Sequence, residues 1–140
     1  MKRKASAVWQ GGLKGGKGTI STDSGVLSKT QYSFGTRFEN GPGTNPEELV
    51  AAAHAGCFSM ALSAELEKAG VNPESIETSA TVTLDKQDGG WAVTAVHLET
   101  IGKVAGNDAG KFKAAAESAK AGCPISKLLK ANITLDARLH

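Results

Sequence analysis

At 140 residues the chain is the size of one domain, long enough to bury a hydrophobic core without disulfide or metal staples. Its 16 basic and 14 acidic side chains leave a net charge of +2, too weak a field to support nucleic-acid or anionic-membrane binding as its function. No run approaching about 18 apolar residues is free of polar interruption, so no membrane span is predicted. The N-terminal Met1-Lys2-Arg3-Lys4 is basic, but no apolar h-region follows. No secretory signal is predicted, and a cytoplasmic location is expected. In that compartment a permanent structural disulfide between the two cysteines would be out of place.

In chain order, residues 4–9 read as a strand, and Gly11 to Gly18 as a flexible hairpin loop. The loop is not a phosphate-binding P-loop, because no Gly-Lys-Ser/Thr follows at the right spacing and the next segment is strand-like. Residues 18–23 and 26–37 continue as strands, the second carrying Tyr32, Phe34 and Arg37. A loop over 39–44 leads to a clear helix start. Asn45 suits the N-cap, Pro46 the first helical position and Glu48 the capping-box position, while Glu47 and Glu48 complement the helix dipole. This helix should run to about Lys68 and stop at Gly70. From Leu49 to Leu62 only His54 and Ser59 interrupt apolar and small residues, which predicts a helix buried nearly all round. Its Ala51 to Gly56 surface would admit another backbone closely, and in so short a chain a second subunit is a natural occupant.

Ile76 to Leu84 alternate with polar residues as a half-buried strand. Asp88-Gly89-Gly90 turns it into a partner strand from Trp91 to about Ile101. An amphipathic helix over 107–121, a short helix from Cys123-Pro124 to Leu129 and a closing strand over 133–139 complete the chain. The pattern is a single α+β domain, residues 1–140, with antiparallel sheet and no repeats or linkers.

Two residues could carry chemistry by type and place. Cys57 sits mid-helix, where a cysteine commonly serves as a small hydrophobe, and a buried apolar site opposes the thiolate that reactivity needs. A cation must therefore be close if Cys57 is reactive. His54, one turn earlier on the same face, and Arg37 are the candidates. Cys123 falls at an N-cap-like position before Pro124, where backbone N–H groups favour negative charge on sulfur, although a loop cysteine of no consequence fits the same pattern. Two cysteines far apart, with no His-x-His pair, are too few ligands for a metal site.

Four segments together carry a family resemblance. Thr36-Arg-Phe-Glu39, Asn45-Pro-Glu-Glu-Leu49, Ala53-His-Ala-Gly-Cys-Phe-Ser-Met-Ala-Leu62 and Ala121-Gly-Cys-Pro-Ile-Ser-Lys-Leu-Leu129 resemble the OsmC/Ohr family of thiol-dependent peroxidases, over essentially the whole chain. The Thr-Arg-Phe placement resembles the OsmC branch; in the organic hydroperoxide resistance branch the arginine comes from nearer the N-terminus. The resemblance implies an OsmC-like fold, with antiparallel sheets wrapped around two long central helices in an intertwined homodimer. It implies that Cys57 attacks the peroxide O–O bond as thiolate and that Cys123 resolves the sulfenic acid by an intramolecular disulfide. Arg37 would stabilise the thiolate and position the peroxide, and Glu47 would hold the guanidinium. Organic hydroperoxides would be reduced in preference to hydrogen peroxide, in oxidative and osmotic stress defence. No cofactor or metal is implied; electrons would come from an external thiol or dithiol, with lipoyl-bearing proteins as partners.

Helix geometry adds one requirement. Glu47 and Cys57 are ten residues apart on one helix, roughly 15 Å along its axis, and cannot share a site within it. If both serve one site, one of them comes from a second subunit. Two other readings of the residues stay open: a Cys–His hydrolase using Cys57 and His54, and a noncatalytic binder of hydrophobic ligands with structural thiols.

Overall fold

A computed structural model describes residues 1–140. The chain divides into two compact units, Met1–Leu49 and Val50–His140.

In the first unit, β1 (Ala5–Gln10), β2 (Lys17–Thr22) and β3 (Thr30–Tyr32) form an antiparallel sheet in chain order. The glycine-rich segment is the expected hairpin loop, and Gly18 lets β2 pass under Trp9 and Tyr32. A Cβ at Gly18 would run into the Tyr32 ring. The strand expected over 26–37 is only three residues long. Lys29 takes a left-handed backbone (φ 50°), and after Tyr32 the chain coils into a short helix, α1 (Phe34–Phe38). A reciprocal cap explains the change. Ser33 Oγ accepts from Thr36 N–H, and Thr36 Oγ1 accepts from Ser33 N–H. The alternating aromatics Tyr32 and Phe34 imitate a strand, but the Ser-x-x-Thr cap wins locally.

Helix α2 (Pro46–Lys68) starts in the first unit and runs through the second. Asn45 caps it, accepting from Glu48 N–H at 2.8 Å and donating through Nδ2 to Thr36 O. Glu48 does not close the expected capping box: its carboxylate accepts from Thr44 Oγ1 at 2.7 Å instead.

The second unit adds β4 (Pro73–Gln87), β5 (Gly90–Val104), α3 (Ala109–Gly122), α4 (Pro124–Leu128) and β6 (Asn132–Leu139). The two-residue Asp88-Gly89 turn joins β4 to β5 antiparallel, with Gln87 opposite Gly90. The sheet departs from the expected antiparallel pattern at one pair, because β6 lies parallel to β5. The reason is connectivity: α3 and α4 form a crossover that returns the chain in its original direction, as parallel neighbours require. Asp108 starts α3 by accepting from Lys111 N–H.

The core of this unit follows from two periodicities. Along α2, His54, Phe58, Leu62 and Leu66 recur every fourth residue and are fully buried. Along β5, Val96, Leu98, Thr100, Gly102 and Val104 alternate inward. Phe112 of α3 lies against Gly102, where any side chain would strike its ring. Ser59 Oγ donates to Thr78 Oγ1, which pairs with Thr100 Oγ1 at 2.9 Å, so a chain of hydroxyls ties α2 to the sheet.

The sequence predicts α2 buried nearly all round, and here the structure corrects it. In the single chain only the His54-to-Leu66 stripe is buried, while Ala52, Ala53, Gly56 and Met60 (77% exposed) lie open on another face. By length and composition alone α2 would also suffice to cross a membrane, which the expectation of no candidate span did not anticipate. Its acidic residues cluster at the two ends and leave the middle apolar. Core packing of the Phe58, Leu62 and Leu66 stripe is the role the structure gives that apolar middle.

Candidate redox site

The predicted residues come together as two pairs. The first is Arg37 with Glu47. Arg37 lies in the last turn of α1 rather than at the end of a strand, and Glu47 in the first turn of α2. The guanidinium forks onto the carboxylate: Nε donates to both oxygens at 3.1 and 3.2 Å, and Nη2 donates to Oε1 at 2.7 Å. Such a planar fork fixes orientation as well as charge. Arg37 also stacks over the Phe38 ring, 5.2 Å from its centroid. The guanidinium forms part of the wall of a cavity of about 260 Å³ that Trp9, Leu13, Tyr32, Phe34 and Phe38 also line. A held cation at the rim of an aromatic pocket suits a ligand with one polar end and one apolar end.

The second pair is Cys57 with Cys123. Both thiols are free, and their sulfurs lie 3.0 Å apart although 66 residues separate them in sequence. A disulfide would need them only about 1 Å closer. Cys123 caps α4 and is fully buried, whereas Cys57 on α2 is partly exposed. Burial, then the hydrogen bond with Cys123, pushes the Cys57 thiol above its ordinary range, and the Ile125 backbone offsets this only in part. Burial also opposes the Cys123 thiolate. Hydrogen bonding from Cys57, from the backbone and hydroxyl of Ser126 and from the Ile125 backbone outweighs it and brings Cys123 below its ordinary range. Within one chain, negative charge on the pair therefore favours Cys123.

His54 does not bond to Cys57. Its Nε2 pairs with Ser126 Oγ at 2.7 Å, and Nδ1 is buried without a hydrogen-bond partner. Burial lowers the His54 pKa below 6.5, so the ring is neutral at pH 7. A Cys–His hydrolase needs a ring nitrogen on the thiol, and neither nitrogen is there. Ser126 is the residue that sequence reasoning passed over. Its only signal is the spacing Cys123-x-x-Ser126, which places both residues at the start of one short helix.

Two unbonded thiols at contact distance in an α+β scaffold define a dithiol protein, one whose cysteines stand where a disulfide can form. Comparison with known proteins narrows that class. Residues 39–138 match the family described as OsmC-like protein. The chain is 56% identical over 137 residues to the protein named peroxiredoxin OsmC of Escherichia coli K12, covering 98% of this chain and 96% of that one. It is 30% identical to the organic hydroperoxide resistance protein OhrB of Bacillus subtilis 168, covering 90% of this chain and 92% of that one. The crystal structure of Bacillus subtilis OhrB superposes with a TM-score of 0.68 at 27% identity, covering 98% of each chain. The chain belongs to the OsmC-like family.

Proposed function

We propose that this chain is a homodimeric peroxidase that reduces organic hydroperoxides, and hydrogen peroxide more weakly, by cysteine chemistry in oxidative and osmotic stress defence. That it is a peroxidase rests on its relatives, peroxiredoxin OsmC and organic hydroperoxide resistance proteins. The observation that carries the mechanism is the 3.0 Å approach of two free sulfurs brought from α2 and α4. Peroxide can reach only the partly exposed one, so Cys57 is the nucleophile and buried Cys123 the resolving thiol. Cys57 thiolate takes the terminal oxygen of the peroxide, the O–O bond breaks, and the alcohol leaves after gaining a proton. Cys123 then attacks the sulfenic sulfur, an S–S bond forms, and hydroxide departs to become water. An external thiol or dithiol, such as a lipoyl group, returns the electrons, and no metal or bound cofactor enters the cycle.

Because charge within one chain favours Cys123, Cys57 needs a cation from elsewhere to become the thiolate. Arg37, aimed by Glu47, supplies it. Ten helical residues separate Glu47 from Cys57, roughly 15 Å of axis, so the Arg37–Glu47 pair that completes a site belongs to a second subunit. The open Ala52, Ala53, Gly56 and Met60 face of α2 is the surface along which two copies would pack. The aromatic cavity beside Arg37 would then receive the alkyl group, the feature that favours organic peroxides.

The test is steady-state turnover of cumene hydroperoxide with dihydrolipoamide. Turnover in the wild type, its loss in Cys57→Ser and a Cys57–Cys123 disulfide by mass spectrometry after peroxide are expected. Wild-type protein inactive with every peroxide while both thiols are reduced would overturn the reading, and a noncatalytic ligand binder would then stand.

A further inference from the structure

The peroxidase reading leaves one buried group without a role. His54 occupies a core position in the α2 stripe, yet it is polar, and it spends its one hydrogen bond on a serine 72 residues away. The geometry around it is paired. His54 and Cys57 stand one turn apart on α2; Cys123 and Ser126 stand one turn apart at the start of α4. His54 meets Ser126 at 2.7 Å and Cys57 meets Cys123 at 3.0 Å. Two neighbouring residues on one segment thus face two on the other, in opposite order along the chain. Fixing one contact fixes the register of the other.

Nδ1 of His54 is buried with no partner, and a buried N–H without an acceptor is rarer than a bare acceptor. The neutral ring therefore carries its proton on Nε2 and donates it to Ser126 Oγ. With its oxygen accepting from His54, the hydroxyl has one proton left to give. The Cys123 sulfur stands one turn back on the same segment, where the Ser126 hydroxyl favours negative charge on it, and the remaining proton is assigned to that sulfur. Of the titratable groups, Cys57 faces the Cys123 sulfur from α2, while α4 presents the backbone and hydroxyl donors.

We propose that His54, acting through the Ser126 hydroxyl, is a positioning residue that presents a hydrogen bond to Cys123 and keeps it ready both to attack and to leave. This rests on the peroxidase reading. In the oxidising half, Cys123 thiolate attacks the Cys57 sulfenic sulfur; S–S forms, S–O breaks, and the departing hydroxide takes a proton from solvent. In the reducing half, Cys123 is fully buried, so an external thiolate can attack only the Cys57 sulfur. S–S then breaks, Cys57 passes to the mixed disulfide, and Cys123 departs as thiolate. One donor chain serves both halves, since a lowered pKa raises the thiolate fraction of a nucleophile and speeds the departure of a leaving group.

Ionisation of Cys123 is followed by thiolate absorbance against pH in the Cys57→Ser protein, which removes the neighbouring thiol. Adding Ser126→Ala or His54→Leu should move the midpoint up by about one pH unit, the worth of one hydrogen bond to a charged group. Ser126→Thr should restore it. In the dithiol protein after one equivalent of cumene hydroperoxide, Ser126→Ala should slow disulfide formation about threefold at pH 7. The tenfold fall in thiolate is partly offset by greater intrinsic nucleophilicity. Dimedone should then trap the longer-lived sulfenic acid. An unchanged midpoint in folded Ser126→Ala protein overturns the proposal. If that variant does not fold, nitrogen-15 NMR of His54 in the unsubstituted protein decides: an Nδ1-protonated ring overturns the proposal and an Nε2-protonated ring supports it. Neither the midpoint nor the tautomer involves peroxide, so failure of the peroxidase reading would show separately, as an unsubstituted protein whose Cys57 no peroxide oxidises.

Discussion

Arg37 is held by geometry that a lysine cannot copy. Its Nε and Nη2 share the Glu47 carboxylate while its flat face covers Phe38. Arg37→Lys keeps the charge but loses the fork and the stacking, so kcat/KM for cumene hydroperoxide should fall at least about tenfold. Glu47→Ala should do the same by releasing the guanidinium; steady-state kinetics of the two variants checks both. His54 yields a prediction of a different kind. Its pKa in the folded chain is lowered by burial, so below about pH 6.5 the unfolded chain binds a proton that the folded chain refuses. The stability due to the neutral ring is fully present above that pH and is lost as pH falls from there toward the lowered value. Urea midpoints between pH 5 and 8 should therefore drop toward acid in the wild type and drop less in His54→Gln. An equal slope in both proteins would remove His54 as the cause. At this scale the sequence singles out Cys57, Cys123, Arg37 and Glu47, which the structure gathers into two pairs, but not Ser126, because a serine in a short helix carries no periodic or compositional signal.

The elements show why some of the fold was legible and some was not. The start of α2 could be read because Asn45, Pro46 and the acidic first turn act through neighbours in sequence, and the β4–β5 hairpin because Asp88-Gly89 encodes its own turn. The direction of β6 was hidden. Alternation in Ile133, Leu135, Ala137 and Leu139 gives a face but not a partner, and the parallel pairing with β5 follows from the α3–α4 crossover. The third strand is shorter than the aromatic alternation of Tyr32 and Phe34 suggests because the Ser33–Thr36 cap overrides it, and the cap can be tested. Ser33→Ala should cost about 1 kcal/mol by removing the acceptor for Thr36 N–H. Gly102→Ala should cost more, about 1–3 kcal/mol, because the new methyl drives into the Phe112 ring inside the core. Chemical denaturation of both variants should return that order; the reverse would mean that Phe112 moves aside freely.

At the scale of the whole molecule, the proposed homodimer would account both for the exposed apolar face of α2 and for the division of the proposed site into two pairs. A tandem fusion of two copies separates sharing from self-sufficiency. In the first arrangement one copy carries Cys57→Ser and the other carries Arg37→Ala with Glu47→Ala. If sites are shared, the intact Cys57 of the second copy meets the intact Arg37 and Glu47 of the first, and one of the two sites survives. If each copy completes its own site, both are broken and turnover disappears. In the second arrangement all three substitutions are placed in one copy and none in the other. Sharing now breaks both sites, because each draws one damaged half, whereas self-sufficient copies would keep half the activity. The expected pair of results is therefore about half the wild-type fusion's turnover in the first arrangement and almost none in the second. The opposite pair would place Arg37 and Cys57 of one chain in one site. It would then require α2 to bend sharply between Glu47 and Cys57, since a straight helix keeps them roughly 15 Å apart.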